Sequence, residues 1–211
     1  DIGMTLMVVL TWGFQMFLAG MPMLLVICIV ALAPLGLVVA YFTLGHVHKR
    51  INQFWEGGAW QVEKARDSFA NGGLFGVGPG DGTVKHHLPD AHSDFIFAVA
   101  GEEFGALACL TLLTLYAFIV LRGFSRAMSD EGLFCLIASA SLLLQFGVQA
   151  AIHMASSVHL IPTKGMTLPL ISYGGSSLVA SGLTMGLILA LTRRRAPYVI
   201  PGRRNLQEAS S

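Results

Sequence analysis

The sequence predicts an all-α polytopic membrane protein with about five transmembrane helices and one long extracytoplasmic loop. Three observations predict it. Of the 211 residues, 54% are hydrophobic and only 12% charged, about half the roughly 25% charged share of an ordinary soluble domain. Residues 2–45 contain no Asp, Glu, Lys or Arg, room for two crossings at ~20 residues each. Residues 46–94 then change character, with five Lys/Arg, six Asp/Glu and five of the seven histidines, before apolar runs resume.

In chain order, Met4 to Leu18 and Met21 to Phe42 read as a helical hairpin. Gly20 permits the turn, and Pro22 suits the start of the second arm. Pro34 is expected to kink that arm. The long polar stretch is too long for a plain connector, and such loops tend to be functional or disordered. Within it, Val62, Ala65 and Phe69 recur at helical spacing. That segment reads equally as an amphipathic helix on the membrane surface or as a short solvated helix.

Three more crossings follow: Phe95 to Leu121, Leu133 to Val158 and Leu168 to Leu191. The basic stretches Arg122–Arg126 and Arg193–Arg195 then share one face, cytoplasmic by the positive-inside rule. Residues 46–94 and the 159–167 connection face outward, and 196–211 form a cytoplasmic tail. Lys49 and Arg50 run against that rule, though long loops translocate largely regardless of charge. A net charge of +1 gives no support to a nucleic-acid partner. Cys28, Cys109 and Cys135 all sit in apolar runs, which argues against a disulfide frame or a metal site. The opening at Asp1, with no charged region ahead of an apolar stretch, reads as part of a longer polytopic protein and not as a signal peptide.

The chemistry-bearing residues concentrate between Gly73 and Gly105. Asp94 reads in two ways: as a cap whose carboxylate takes free backbone amides at a helix start, or as a general base at the lip of the bilayer, where low-dielectric surroundings favour proton uptake. Glu102 and Glu103 follow about 12 Å deeper at ~1.5 Å per residue. Acids at that depth face a bundle interior or a wet cavity, and a buried structural pair is the plainer reading. His153 reads as a hydrogen-bonder within the bundle. Lys85, His86, His87 and His92 follow the glycines Gly76, Gly78, Gly80 and Gly82. Backbone amides with a lysine can meet phosphate, although a flexible loop is the simpler account, and no Walker pattern is present. Prolines on both sides of Lys164, with Gly174-Gly175 beyond, point to a broken or re-entrant lead-in to the last crossing. Such backbone is tolerated only where it is packed in protein or lines a cavity.

Together these segments resemble the SEDS family of bacterial cell-wall polymerases. Asp1-Ile2-Gly3 is similar to the end of the family's QPDLG, and Arg50 and Phe54 fit its R…F pattern. Gly76-Val77-Gly78-Pro79-Gly80, Lys85 and Leu88–Phe95 follow its GxGxG…K…LPExHTDFIF. Glu102–Gly105 follows EExG, and Leu168–Ser177 follows LPxISYGGSS. Asp90 stands for the usual Glu and Ser93 for Thr, which keeps charge and hydroxyl. Pro162–Gly165 resembles the division branch more than the elongation branch. A ten-helix family fold would make this chain its C-terminal half, in the bacterial inner membrane with the large loop periplasmic.

The resemblance implies polymerisation of lipid II during division. The acceptor 4-hydroxyl attacks C1 of the donor MurNAc with inversion, and undecaprenyl pyrophosphate leaves. It makes Asp94 the general base. The substrate-binding set is Lys85, Arg50, Lys164, His92, Ser172, Tyr173 and Ser176, and Glu102, Glu103, Gly174 and Gly175 shape the cavity. No protein-held metal is expected, although Mg²⁺ or Mn²⁺ could act through pyrophosphate oxygens beside Lys85. A class B penicillin-binding transpeptidase and other divisome membrane proteins are the implied partners. A lipid II flippase, for which intramembrane acids and a broken helix would also serve, and a non-catalytic scaffold are the rival readings.

Overall fold

Apolar runs of this length become helices because only helices satisfy every backbone group within the segment itself. The computed structural model describes residues 2–45, 47–48, 52, 60–87, 91–129, 132–161 and 165–193. Its described elements are α1 (Ile2–Leu18), α2 (Met23–Thr43), α3 (Trp60–Gly72), a 3₁₀ turn (Val84–His87), α4 (Ile96–Ala127), α5 (Leu133–Ser157) and α6 (Gly175–Leu191).

Two helices, α1 and α2, meet at a tight turn. Gly20 adopts φ +93°, and the turn closes with Gly20 N–H donating to the Phe17 carbonyl and Met21 N–H to that of Met16. This is the Schellman pattern, in which a left-handed glycine lets the chain turn back on the last carbonyls. The second arm stays helical through Pro34.

Two expectations need correction. Residues 122–126 are not a loop: α4 continues through both arginines to Ala127. It is interrupted at Gly105; the part beyond the break, residues 106–127, is about 33 Å long, enough by itself for the ~30 Å hydrocarbon core. The last helix begins at Gly175 and not at Leu168, because 165–174 are non-helical.

The third helix packs one face against the protein and leaves Glu63, Arg66 and Asp67 exposed on the other. Ala65 and Ser68 are fully buried, and Ala65 packs with Phe95 and Ala98 at the start of α4, with Phe69 alongside. Small residues on that face let two helices come close. The main core lies where α4 and α5 meet, around Phe97, Tyr116, Phe146, Met154 and Leu168.

Outside that seam the helices present large apolar side chains, such as Phe118 at 64% exposure, Leu121 at 69% and Val179 at 72%. The core helix of a soluble protein would hide such residues, so lipid is the medium that suits them. Among the described residues, α4 and α5 are each long and apolar enough to cross a membrane. The heads of α4 and α6 lie side by side, because Tyr173 N–H donates to the His92 carbonyl at 2.9 Å. Their tails both reach Leu143 of α5, with Ala127 and Ile188 in one cluster around it. Arg122, Arg126 and Arg193 therefore lie towards one end of the bundle, the arrangement expected from the charge pattern.

Candidate active site at the heads of two crossings

The site is built on a broken helix. Within α4, Gly105 leaves helical geometry at φ +79°, ψ −179°, a region open only to glycine. An unbroken helix would carry hydrogen bonds from Ala106 N–H to the Glu102 carbonyl and from Leu107 N–H to that of Glu103. The loop after α3 supplies replacements. Ala106 N–H donates to the Gly73 carbonyl at 2.9 Å and Leu107 N–H to the Leu74 carbonyl at 3.3 Å. In return the Glu102 and Glu103 carbonyls accept from Val77 N–H at 3.0 Å and Gly78 N–H at 3.1 Å. The loop is thus spliced into the break, and each backbone group the break releases finds a partner.

Only glycines permit the approach. A Cβ on Gly76 would collide with the Glu103 carbonyl, and one on Gly105 with the Leu74 carbonyl. Gly72 meets the Gly101 carbonyl in the same way. The glycines at 72, 73, 76 and 78 therefore make a docking strip, a more specific part than phosphate cradle or flexible loop.

The two acids complete the junction. Glu102 is fully buried and accepts four hydrogen bonds, from Asn71 Nδ2 at 3.0 Å and from the backbone amides of Thr83 at 2.8 Å, Val84 at 2.9 Å and Lys85 at 3.0 Å. A carboxylate so surrounded tolerates burial because its lone pairs are occupied. Gly82 packs against the carboxyl group, where a Cβ would come within 3.0 Å. Glu103 pairs with Lys85 Nζ, which also donates to the Gly80 carbonyl at 2.9 Å. Both acids thus hold the loop in place, the structural reading the sequence allowed. Lys85 has two of its three N–H donors engaged, so any pyrophosphate contact from it would come from the pair and not from a free ammonium.

Asp94 lies half-buried just ahead of α4. The N-cap residue is Phe95, which makes no side-chain cap bond. Facing Asp94 is the non-helical segment 165–174. Gly165 adopts φ +58°, and a Cβ there would come within 3.2 Å of Asp94 Oδ2. Ser172 ties the two segments together: its hydroxyl donates to the Ser93 carbonyl at 2.7 Å and accepts from Leu168 N–H at 2.7 Å. The exposed Tyr173 ring meets His92 edge-on, with centroids 5.4 Å apart. The lead-in to the last crossing is therefore broken, as the prolines and glycines implied, and it borders Asp94.

The other expected site residues separate by geometry. Ser172 is buried and engaged with protein groups, so it positions the Asp94 segment and offers no hydroxyl outward. Tyr173, His92 and Ser176 are exposed beside the same junction. Gly174 lets the Ser177 hydroxyl close onto its carbonyl at 3.0 Å, where a Cβ would intrude at 2.6 Å from that oxygen. Gly175 faces open space. Arg50 and Lys164 lie outside the described residues. His153 does hydrogen-bond within the bundle, its Nδ1 lying 2.6 Å from the Met166 carbonyl oxygen. Among the described residues no three His, Cys, Asp or Glu side chains come together as a metal site. With Glu102 and Glu103 already committed, the described residues offer no donor set for a protein-held divalent ion, and no step below uses one. Gly165, Gln149 and Tyr116 escaped the sequence reading; the only signal for the last two is a polar group placed in an otherwise apolar crossing.

An all-helical membrane bundle with a polar loop sewn into one crossing and a carboxylate at the head of that crossing defines the class. The chain matches the family of cell cycle proteins FtsW, RodA and SpoVE over residues 1–196, and it belongs to that family. It is 43% identical over 198 residues to the probable peptidoglycan glycosyltransferase FtsW of Caulobacter vibrioides, covering 92% of this chain and 51% of that protein. It is 33% identical to the peptidoglycan glycosyltransferase RodA of Mycobacterium leprae, covering 91% of this chain and 42% of that one. The chain thus spans about half the length of these relatives. A solved chain from a peptidoglycan synthase complex, studied for how polymerization and crosslinking are coordinated, superposes with a TM-score of 0.71 at 26% identity, covering 93% of this chain and 57% of that chain.

Proposed function

We propose that this chain carries the base-bearing part of a peptidoglycan glycosyltransferase that polymerises lipid II during cell division. Asp94 is the general base. It takes the proton from the acceptor 4-hydroxyl as that oxygen attacks C1 of the donor sugar. The C1–O bond to undecaprenyl pyrophosphate breaks with inversion, and the leaving group departs as the pyrophosphate anion. An inverting hydrolase needs a second carboxyl as acid; a pyrophosphate leaving group needs only positive charge nearby. Lys164, next in sequence to Gly165, and Arg50 are the proposed cations, with the Lys85–Glu103 pair behind them. His92, Tyr173 and Ser176 are proposed to meet the sugars, and the loop 46–94 is placed on the periplasmic side. A class B penicillin-binding transpeptidase is the proposed partner.

The observation that carries this reading is the position of Asp94, half-buried at the joined heads of α4 and α6 with its carboxylate against Gly165. A lipid-tethered sugar presents its reacting atoms at such a place, just outside the apolar layer. The broken helix would also suit a transporter. Here, however, the break at Gly105 is closed by four backbone hydrogen bonds, which favours a rigid platform over a moving gate.

The test compares Asp94→Asn with wild type in the full-length polypeptide, reconstituted with its transpeptidase partner and lipid II. Glycan strands are expected to disappear while lipid II translocation stays unchanged. Polymerisation that survives the substitution would overturn the assignment, and loss of translocation alone would favour the transporter.

A further inference from the structure

Residues 165–174 raise a problem of their own. Over 166–169 the chain is largely buried yet not helical, so carbonyls that no helical turn satisfies need donors from elsewhere. Three contacts from α4 and α5 supply them. The Met166 carbonyl faces His153 Nδ1 at 2.6 Å, the Thr167 carbonyl accepts from Gln149 Nε2 at 3.0 Å, and the Pro169 carbonyl accepts from the Tyr116 hydroxyl. Gln149 and His153 lie one turn apart on α5, at the i, i+4 spacing that stacks side chains on one face. They grip adjacent carbonyls immediately after Gly165, the residue beside Asp94, where a Cβ would come within 3.2 Å of Oδ2.

His153 is fully buried. A carbonyl can only accept, so Nδ1 carries the hydrogen, and Nε2 is left as a bare acceptor. Nε2 has no hydrogen-bond partner. The position therefore contributes one donor to the fold, the one aimed at Met166. The ring also lies within electrostatic range of Asp94.

We propose that Gln149 and His153 are positioning residues for Asp94: a two-rung clamp that fixes the Met166 and Thr167 carbonyls and so holds Gly165 against the Asp94 carboxylate. The inference rests on Asp94 being the base. Neither clamp residue is assigned a contact with substrate. Their loss would leave lipid II binding intact and misplace the base, and misplacement by about 1 Å can cost on the order of a hundredfold in rate.

The experiment measures kcat and KM for lipid II polymerisation by the full-length polypeptide with its partner, using His153→Leu, Gln149→Leu, His153→Asn and Asp94→Asn. In Asn the side-chain amide nitrogen occupies the place of imidazole Nδ1, so this variant keeps the donor and removes Nε2. Both leucine variants are expected to lower kcat about ten- to a hundredfold with KM changed by less than about threefold, and His153→Asn is expected to restore wild-type kcat. Wild-type kcat in a leucine variant, or a kcat loss that Asn does not restore, would overturn the clamp. Should His153→Leu fail to elute as a folded protein on size exclusion, Gln149→Leu decides by the same kcat–KM split. Asp94→Asn separates the two levels. An inactive Asp94→Asn beside a normal leucine variant removes the clamp alone, whereas an active Asp94→Asn removes the reading on which it rests.

Discussion

Replacing Glu102 by Ala tests how the loop is held. The carboxylate accepts one side-chain and three backbone hydrogen bonds at a fully buried position. Hydrogen bonds to a charged group contribute roughly 1.5–3 kcal/mol each, and a buried donor left unpaired costs about 1–3 kcal/mol. Removing the buried charge recovers part of that, and water entering the gap recovers more. A net loss of about 3–4 kcal/mol therefore remains for local opening of the 3₁₀ turn. At about 1.4 kcal/mol per factor of ten, amides 83–85 should exchange with deuterium several hundredfold faster, as read by mass spectrometry on detergent-solubilised protein. Glu102→Gln keeps one oxygen, which can serve the three donors gathered at Oε1, and loses mainly the Lys85 amide, so about a tenfold rise is expected, or ~1.4 kcal/mol. Glu103→Gln loosens the Lys85 side chain but leaves the amide bonds to Glu102 in place, so a smaller rise than in Glu102→Ala is expected. Unchanged exchange at 83–85 in Glu102→Ala would refute the anchoring argument.

Other predictions follow from the same geometry. Gly76→Ala places a methyl group on the Glu103 carbonyl at a positive φ, and should lower thermal stability by at least about 2 kcal/mol, whereas Gly175→Ala, open on all sides, should change the melting temperature little. Gly165→Ala combines a left-handed backbone with a close approach to Asp94 Oδ2; it should cost only about 1–2 kcal/mol of stability yet depress polymerisation at least tenfold, as followed by glycan-strand formation. Chelating divalent cations should leave the melting temperature unchanged, because the described residues offer no metal cluster; any fall in polymerisation under chelation would then report an ion carried by the pyrophosphate.

Much of the scaffold was legible because the bilayer demands it. A stretch free of ionisable groups from residue 2 to 45, and later apolar runs interrupted by basic residues, leave few options besides crossing helices. Asp94 stood out for a related reason, since a carboxylate where a polar loop meets an apolar run is conspicuous on composition alone. Helix ends were harder to read. Apolarity continues through Leu168–Leu170 although the backbone there is not helical, and the helix of α4 continues through Arg122 and Arg126 although apolarity has stopped.

By itself the sequence determined the chain's solvent, its helical class, its family motifs and the segments where polar groups gather. Only the tertiary structure decided what those polar groups do. It turned the glycines at 72–78 into a strip that repairs a broken crossing, committed Glu102 and Glu103 to holding the loop, made Ser172 a tie, set Gly165 beside Asp94, and put the Gln149–His153 pair on the carbonyls that follow Gly165. The physical reason is that hydropathy and helical periodicity are properties of neighbours along the chain. The partner of a freed carbonyl or a buried carboxylate is instead fixed by backbone brought together from distant segments, and no local pattern records which segment that is.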